Sequence, residues 1–321
     1  REFYEEELEG QLSDDQILQR VFAPRVYDES FDTGLPGRQT EGQLCLSLSP
    51  KFSDVIREEF IRLPVEITYD FSNWFQVFSE VGTYFGNPFD SGHDSGVYNW
   101  RLGGKYSWTD VAGSGFNVAI GGKADMPLSD PPPELTDGFA RYEPYVSISR
   151  RLDRHPEWLV YLNLAYQIVD DTPFRADPVS PQPSDQQFLR PGAIYYPGGR
   201  FRYSVELEYR TNVLDFRNDY VPVDSIPDPL PENSRYANWV LASEDVHELI
   251  ARPAITWFPT RKIREGLIIP GNWEIGVRLE VPVVEETGED FGISVRFRWY
   301  YDYRKFIADD LRRFLRRFNN N

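Results

Sequence analysis

Residues 273 to 303 limit the possible folds more than any other stretch. Trp273, Ile275, Val277, Leu279, Val281 and Val283 alternate with Glu274, Gly276, Arg278, Glu280 and Pro282. After an acidic turn, Glu285-Glu286-Thr287-Gly288-Glu289-Asp290, the pattern resumes. Phe291, Ile293, Val295, Phe297, Trp299 and Tyr301 now oppose Gly292, Ser294, Arg296, Arg298, Tyr300 and Asp302. A period of two sustained this long specifies strand rather than helix. Ordinary strands run about 5–6 residues, whereas a tilted strand crossing a bilayer needs about 9–11. One face is aliphatic in the middle with Trp and Tyr near its ends, the pattern of a lipid-facing stripe between interfacial aromatics. The other face carries Arg and Glu, which hydrocarbon does not tolerate and an enclosed polar lumen does. The hairpin therefore predicts an all-β, antiparallel transmembrane barrel.

The rest of the chain repeats the pattern. Alternating segments fall near residues 42–50, 61–71, 74–85, 97–108, 115–127, 139–150, 157–170, 191–197, 200–211 and 247–259. With the hairpin they make about 12 strands, an even number as single-chain bacterial barrels have. The segment near 191–197 shows the weakest alternation, and residues 171–190 read as a long Asp- and Pro-rich loop. Residues 51–58 read as a short loop. Loop lengths agree with the strand parity. Connections after the third, fifth, seventh and ninth strands are long and acidic or Pro-rich, whereas those after the second and eighth are tight. With the N-terminus on the periplasmic side, the long loops face the cell exterior. The competing reading is a soluble β-sandwich or soluble barrel, which would have to turn every apolar stripe inward and every charged stripe outward.

Composition fits a barrel. The chain of 321 residues carries a formal net charge of −17 with 15% aromatic residues. No run of 18 apolar residues exists, which excludes a helical membrane protein. The single cysteine, Cys45, allows no internal disulfide. Three parts are expected: an acidic periplasmic leader over 1–40, the barrel over 41–303, and a basic amphipathic helix within 304–321. In that helix Phe306, Ile307, Leu311, Phe314, Leu315 and Phe318 oppose Arg304, Lys305, Arg312, Arg313, Arg316 and Arg317. The leader reads either as a solvated segment or as a plug or docking element. The helix reads either as lying on headgroups or capping the barrel mouth, or as a handle for a partner.

At Val65-Glu66-Ile67-Thr68-Tyr69-Asp70-Phe71-Ser72-Asn73-Trp74 the sequence resembles a strand–turn–strand signature of a known family. Trp100-Arg101-Leu102-Gly103-Gly104-Lys105-Tyr106 is similar to its recurring Gly-Lys-Tyr strand. The family is that of the transporter barrels named after the MetA pathway of phenol degradation. The resemblance spans roughly residues 60–300 and implies an outer-membrane barrel of a Gram-negative-type bacterium, with a transport role and no catalytic residues. A second motif, His93-Asp94-Ser95, resembles the His-x-Ser of the outer-membrane phospholipase A family. It continues as Gly96-Val97-Tyr98 where that family has Asn-Gly-Arg, so hydrolase activity is not expected. His93, His155 and His247 lack metal-binding spacing, and no cofactor, metal or nucleic-acid partner is implied.

The expected lumen carries the chemistry. The basic pore-lining candidates are Arg62, Arg101, Lys105, Lys123, Arg141, Arg202, Arg252, Arg278, Arg296 and Arg298. The acidic ones are Glu66, Glu143, Glu206, Glu208, Glu274 and Glu280. Twelve strands at about 4.8 Å spacing and about 40° tilt enclose a backbone cylinder roughly 24 Å across. Long side chains from opposite walls nearly span that width. Two readings follow. One is a channel or transporter for small solutes, surrounded by outer-membrane lipid. The other is a structural or anchoring barrel with a packed lumen, docking a periplasmic or membrane protein through residues 1–40 and 304–318.

Overall fold

In a computed structural model the chain closes into a twelve-stranded antiparallel barrel. The structure describes residues 29–31, 33–37, 41–52, 60–86, 95–128, 135, 138–170, 185–213, 247–259, 272–284 and 291–302. The strands are β1 (Gln43–Leu48, continued by Lys51–Phe52), β2 (Phe60–Asp70), β3 (Phe75–Gly86), β4 (Ser95–Trp108), β5 (Phe116–Pro127) and β6 (Arg141–Arg151). They continue as β7 (Trp158–Val169), β8 (Gln186–Tyr195), β9 (Phe201–Asn212), β10 (His247–Trp257), β11 (Asn272–Val284) and β12 (Gly292–Asp302). Each pairs with its neighbours in sequence. The ring closes between β12 and β1, where Trp299 faces Leu46 and Tyr301 faces Leu44 in register. Full closure removes the unpaired strand edge that an open sheet would expose to lipid.

Two boundaries differ from the sequence reading. β8 starts at Gln186, not near 191, so Phe188 and Arg190 lie in the wall. Arg190-Pro191-Gly192 interrupts the apolar stripe and hides the strand. Lys51 and Phe52 pair with Ser294 and Ile293, so the wall of β1 resumes after a break at Ser49-Pro50 instead of becoming loop. Residues 1–28 of the leader, the basic stretch 304–318 and His93-Asp94 lie outside the described residues.

The alternation sorts side chains as the sequence implies. Ile120, Val146, Val160, Leu164, Ile168, Val205 and Leu207 are exposed around the barrel waist. In water such a continuous apolar belt would be an aggregation surface; in hydrocarbon it is the solvent-matched face. Aromatic side chains gather at the end with the short turns. Tyr69 packs edge-on to Phe71, Tyr106 lies against Trp108, Trp158 against Tyr195, and Trp257 edge-on to Trp273. This is the girdle expected at a membrane–water boundary. The belt and girdle on a closed barrel place the protein in an outer membrane.

The short turns sit at the girdled end: 71–74, 109–115, 152–157 and 196–200. Ser72 closes the first by accepting the Phe75 N–H through Oγ at 3.1 Å. The connections after β3, β7 and β9 fall outside the described residues.

Candidate functional site

The inner wall is built by cross-strand register. Opposed residues in an antiparallel sheet stand about 4.5–5.5 Å apart, close enough for long charged side chains to meet. One such row runs through eight strands: Glu274, Arg298, Ser47, Glu66, Glu80, Arg101, Asp125 and Arg141, each the register partner of the next. Within it Arg101 donates from Nη1 to Glu80 at 3.0 Å and from Nη2 to Asp125 at 2.8 Å. A second network crosses β5 to β10. Lys123 Nζ lies 3.2 Å from Glu143, Arg190 Nη1 donates to Glu143 at 2.9 Å, and Arg190 Nε donates to Glu208 at 2.6 Å. Arg252 completes the series with Nη1 2.6 Å from the same Glu208 oxygen. Bidentate and shared guanidinium–carboxylate contacts of this kind are charge-assisted and orientation-specific.

Inward glycines let inward aromatics lie flat against the wall. A Cβ on Gly121 would stand 2.4 Å from the Tyr145 ring, and one on Gly192 only 2.2 Å from that of Tyr161. Tyr161 therefore reaches across its register partner Gly192 and donates its hydroxyl to Glu206 at 2.8 Å, two strands away.

The described part of the leader lies inside the barrel. Residues 29–30 and 33–34 pair antiparallel in a two-rung ladder. The Phe31 ring sits under two guanidiniums, Arg296 at 4.2 Å and Arg278 at 4.7 Å, and its carbonyl accepts from Arg296. The Gly34 carbonyl accepts from Ser147 at 2.9 Å and that of Leu35 from Lys105 at 3.0 Å. Leu35, fully buried, joins Leu159, Tyr161, Ile194, Tyr196 and Phe258 in an apolar cluster near the short-turn end. At the opposite end Phe60, Tyr84, Tyr98 and Leu135 form another.

Between these clusters lies an internal cavity of about 560 Å³. Of the sequence-predicted residues, Arg62, Glu66, Arg101, Lys105, Lys123, Arg141, Glu143, Glu208, Arg252, Arg296 and Arg298 line it. Arg202, Glu206, Glu274, Arg278 and Glu280 do not line it. The first four are buried in the wall, and Arg278 is covered by Phe31. Glu280 is paired with Arg278 on the same strand. Arg210, inward by alternation, also lines the cavity, as do Arg190 and Lys51, which the sequence reading leaves in loops. For Arg190 the available signal in the sequence is a charge inside an interrupted apolar stripe. Among the described residues no group of His, Cys, Asp and Glu could hold a metal ion.

No protein-family model matches the chain, and no curated protein matches it in sequence. Among solved structures it is similar to the COG4313 outer membrane channel from Pseudomonas putida F1, with a TM-score of 0.54 at 10% identity over 85% of this chain and 100% of that one. The KdgM porin aligns with a TM-score of 0.47 at 10% identity, over 79% of this chain and 98% of that one. The NanC porin aligns at 0.45 and 11%, over 79% and 97%. At such identities the likeness concerns the fold, and only the first exceeds the level at which folds correspond: the chain folds as an outer-membrane β-barrel of the kind seen in channels.

Proposed function

We propose that this protein is an outer-membrane channel or transporter for small polar solutes. The carrying observation is the cavity of about 560 Å³ enclosed by a lipid-facing barrel and lined by charged side chains. A barrel serving only as an anchor gains nothing from a polar interior space, because burying ion pairs stabilises little against well-packed apolar residues. The resemblance to the MetA-pathway transporter barrels supports the same role, and the residues that line the cavity are the part of the wall that would meet the solute. Purified full-length protein in planar bilayers should give discrete conductance steps. A correctly folded, heat-modifiable barrel that stays silent would refute the channel reading.

A second reading is supported by residues 29–37, whose carbonyls and Phe31 ring are held by Arg296, Lys105 and Ser147. In that reading the lumen is filled and the barrel is a scaffold for a protein partner. Stable co-purification of one partner from mild detergent, together with silence in bilayers, would favour it.

A further inference from the structure

Although the chain is acidic, its internal cavity is not. Among the described residues eleven Lys and Arg side chains line it against four glutamates, Glu66, Glu80, Glu143 and Glu208. The acidic partners that balance the wall sit off the cavity surface: Asp125 with Arg101, Glu248 with Arg210, and Glu274 near Arg296 and Arg298. At these places the cation lines the cavity and its acidic partner does not, so the cavity is presented with more positive than negative groups. A solute in the cavity is nearer to the cations, and a cleft with low-dielectric walls concentrates that field.

From this segregation, and resting on the channel reading above, we infer that the transported solutes are small organic oxyanions, with a carboxylate or phosphate group recognised by guanidinium. Donor and acceptor supply points the same way. All four lining carboxylates are already engaged at 2.6–3.2 Å: Glu66 by the Thr68 hydroxyl, Glu80 by Arg101, Glu143 by Lys123 and Arg190, and Glu208 by Arg190 and Arg252. A cation entering the cavity meets three carboxylates that Arg or Lys already neutralise. Each guanidinium carries five N–H donors in a planar fork, more than one or two carboxylate contacts use. The planar oxygens of an oxyanion match that fork. The cavity volume is that of ordinary small-molecule sites, which favours a compact anion over a long polymer.

The test uses the full chain in planar bilayers under a tenfold KCl gradient. The reversal potential should show chloride permeating several-fold better than potassium. Succinate and glycerol phosphate, added separately, should each reduce the chloride current, and the stronger of the two identifies the head group. Glucose at equal concentration should not reduce it. Arg62→Gln with Arg141→Gln should bring the permeability ratio towards one. If that variant does not fold, the wild-type ratio and the succinate and glycerol phosphate arms decide the matter. Conductance steps with cation preference, or with no preference, would overturn the anion assignment and leave the channel reading standing. A silent folded barrel would overturn both.

Discussion

Neighbouring residues on one strand of this barrel live in opposite solvents. Leu164 is 47% exposed on the lipid side, while Gln167 lines the cavity and Asn163 is buried in the wall network. Leu164→Arg should cost about 2–4 kcal/mol, the range for Arg at the midplane of a barrel's lipid face. Gln167→Arg should fold as the wild type does. Urea unfolding in detergent or vesicles measures both, and equal losses would show that the facing assignment is wrong. Alternation by itself would also permit Asn163→Arg. The structure reverses that expectation, because Asn163 donates to Ser147 at 2.6 Å and accepts from Arg190 at 3.2 Å. Which face a residue occupies was legible from period two. Which inward residues meet was not, because partners such as Tyr161 and Glu206 are far apart in sequence and joined only by register. The inward glycines carry the same lesson. Gly192 reads as a strand breaker in sequence, yet it is the space into which a tyrosine folds.

At the scale of elements, the leader shows how far patterning reaches. Residues 29–37 have no periodicity and contain Gly34-Leu35-Pro36-Gly37, so sequence gives them no strand or helix. Their place in the lumen comes from tertiary partners alone: an aromatic ring under two guanidiniums, and carbonyls bonded to Lys105, Ser147 and Arg296. Cation–π contacts contribute about 0.5–2 kcal/mol each, and Leu35 adds apolar burial near the short-turn mouth. Deleting residues 1–37 should leave the barrel folded and raise its single-channel conductance, because a segment occupying the lumen is removed. Phe31→Ala should raise it less. Unchanged conductance in the deletion would mean that solutes pass beside the segment and not through the space it fills. The missed start of β8 is the converse case. Its stripe is broken by Arg190-Pro191-Gly192, so propensity reads loop, while its pairing to β7 and β9 makes strand.

For the whole molecule, closure decides what is dispensable. The wall is complete at Asp302, whose register partner is Gln43 on β1. The described strands therefore close the ring before residue 304, and removal of 304–321 should leave a heat-resistant barrel on electrophoresis. If the truncated chain cannot insert at all, the basic stretch takes part in assembly and its proposed role as a partner handle has to be given up. The strand count, the parity of the loops and the lipid belt are legible in the sequence, since each follows from local pattern. The cavity and its charge excess are not. They depend on which side chains reach the cavity, and a sum over the inward residues is nearly neutral.

The row from Glu274 to Arg141 has one more consequence. It follows the hydrogen-bond direction, which is inclined in a barrel whose strands tilt by about 40°. Each step to the next strand, about 4.8 Å, then climbs about 3 Å along the axis, and its seven steps climb about 20 Å. That is most of the apolar band, about 25 Å tall. The row is thus a ramp: Arg298 lies towards the short-turn end of β12 and Arg141 begins β6 at the long-loop end. A voltage across the membrane falls along it, so these two arginines sit at different electrical depths. Arg298→Gln and Arg141→Gln should skew the current–voltage curve in opposite senses, each making the pore rectify towards a different side of the membrane. Identical skews would place both at one depth and flatten the ramp into a ring.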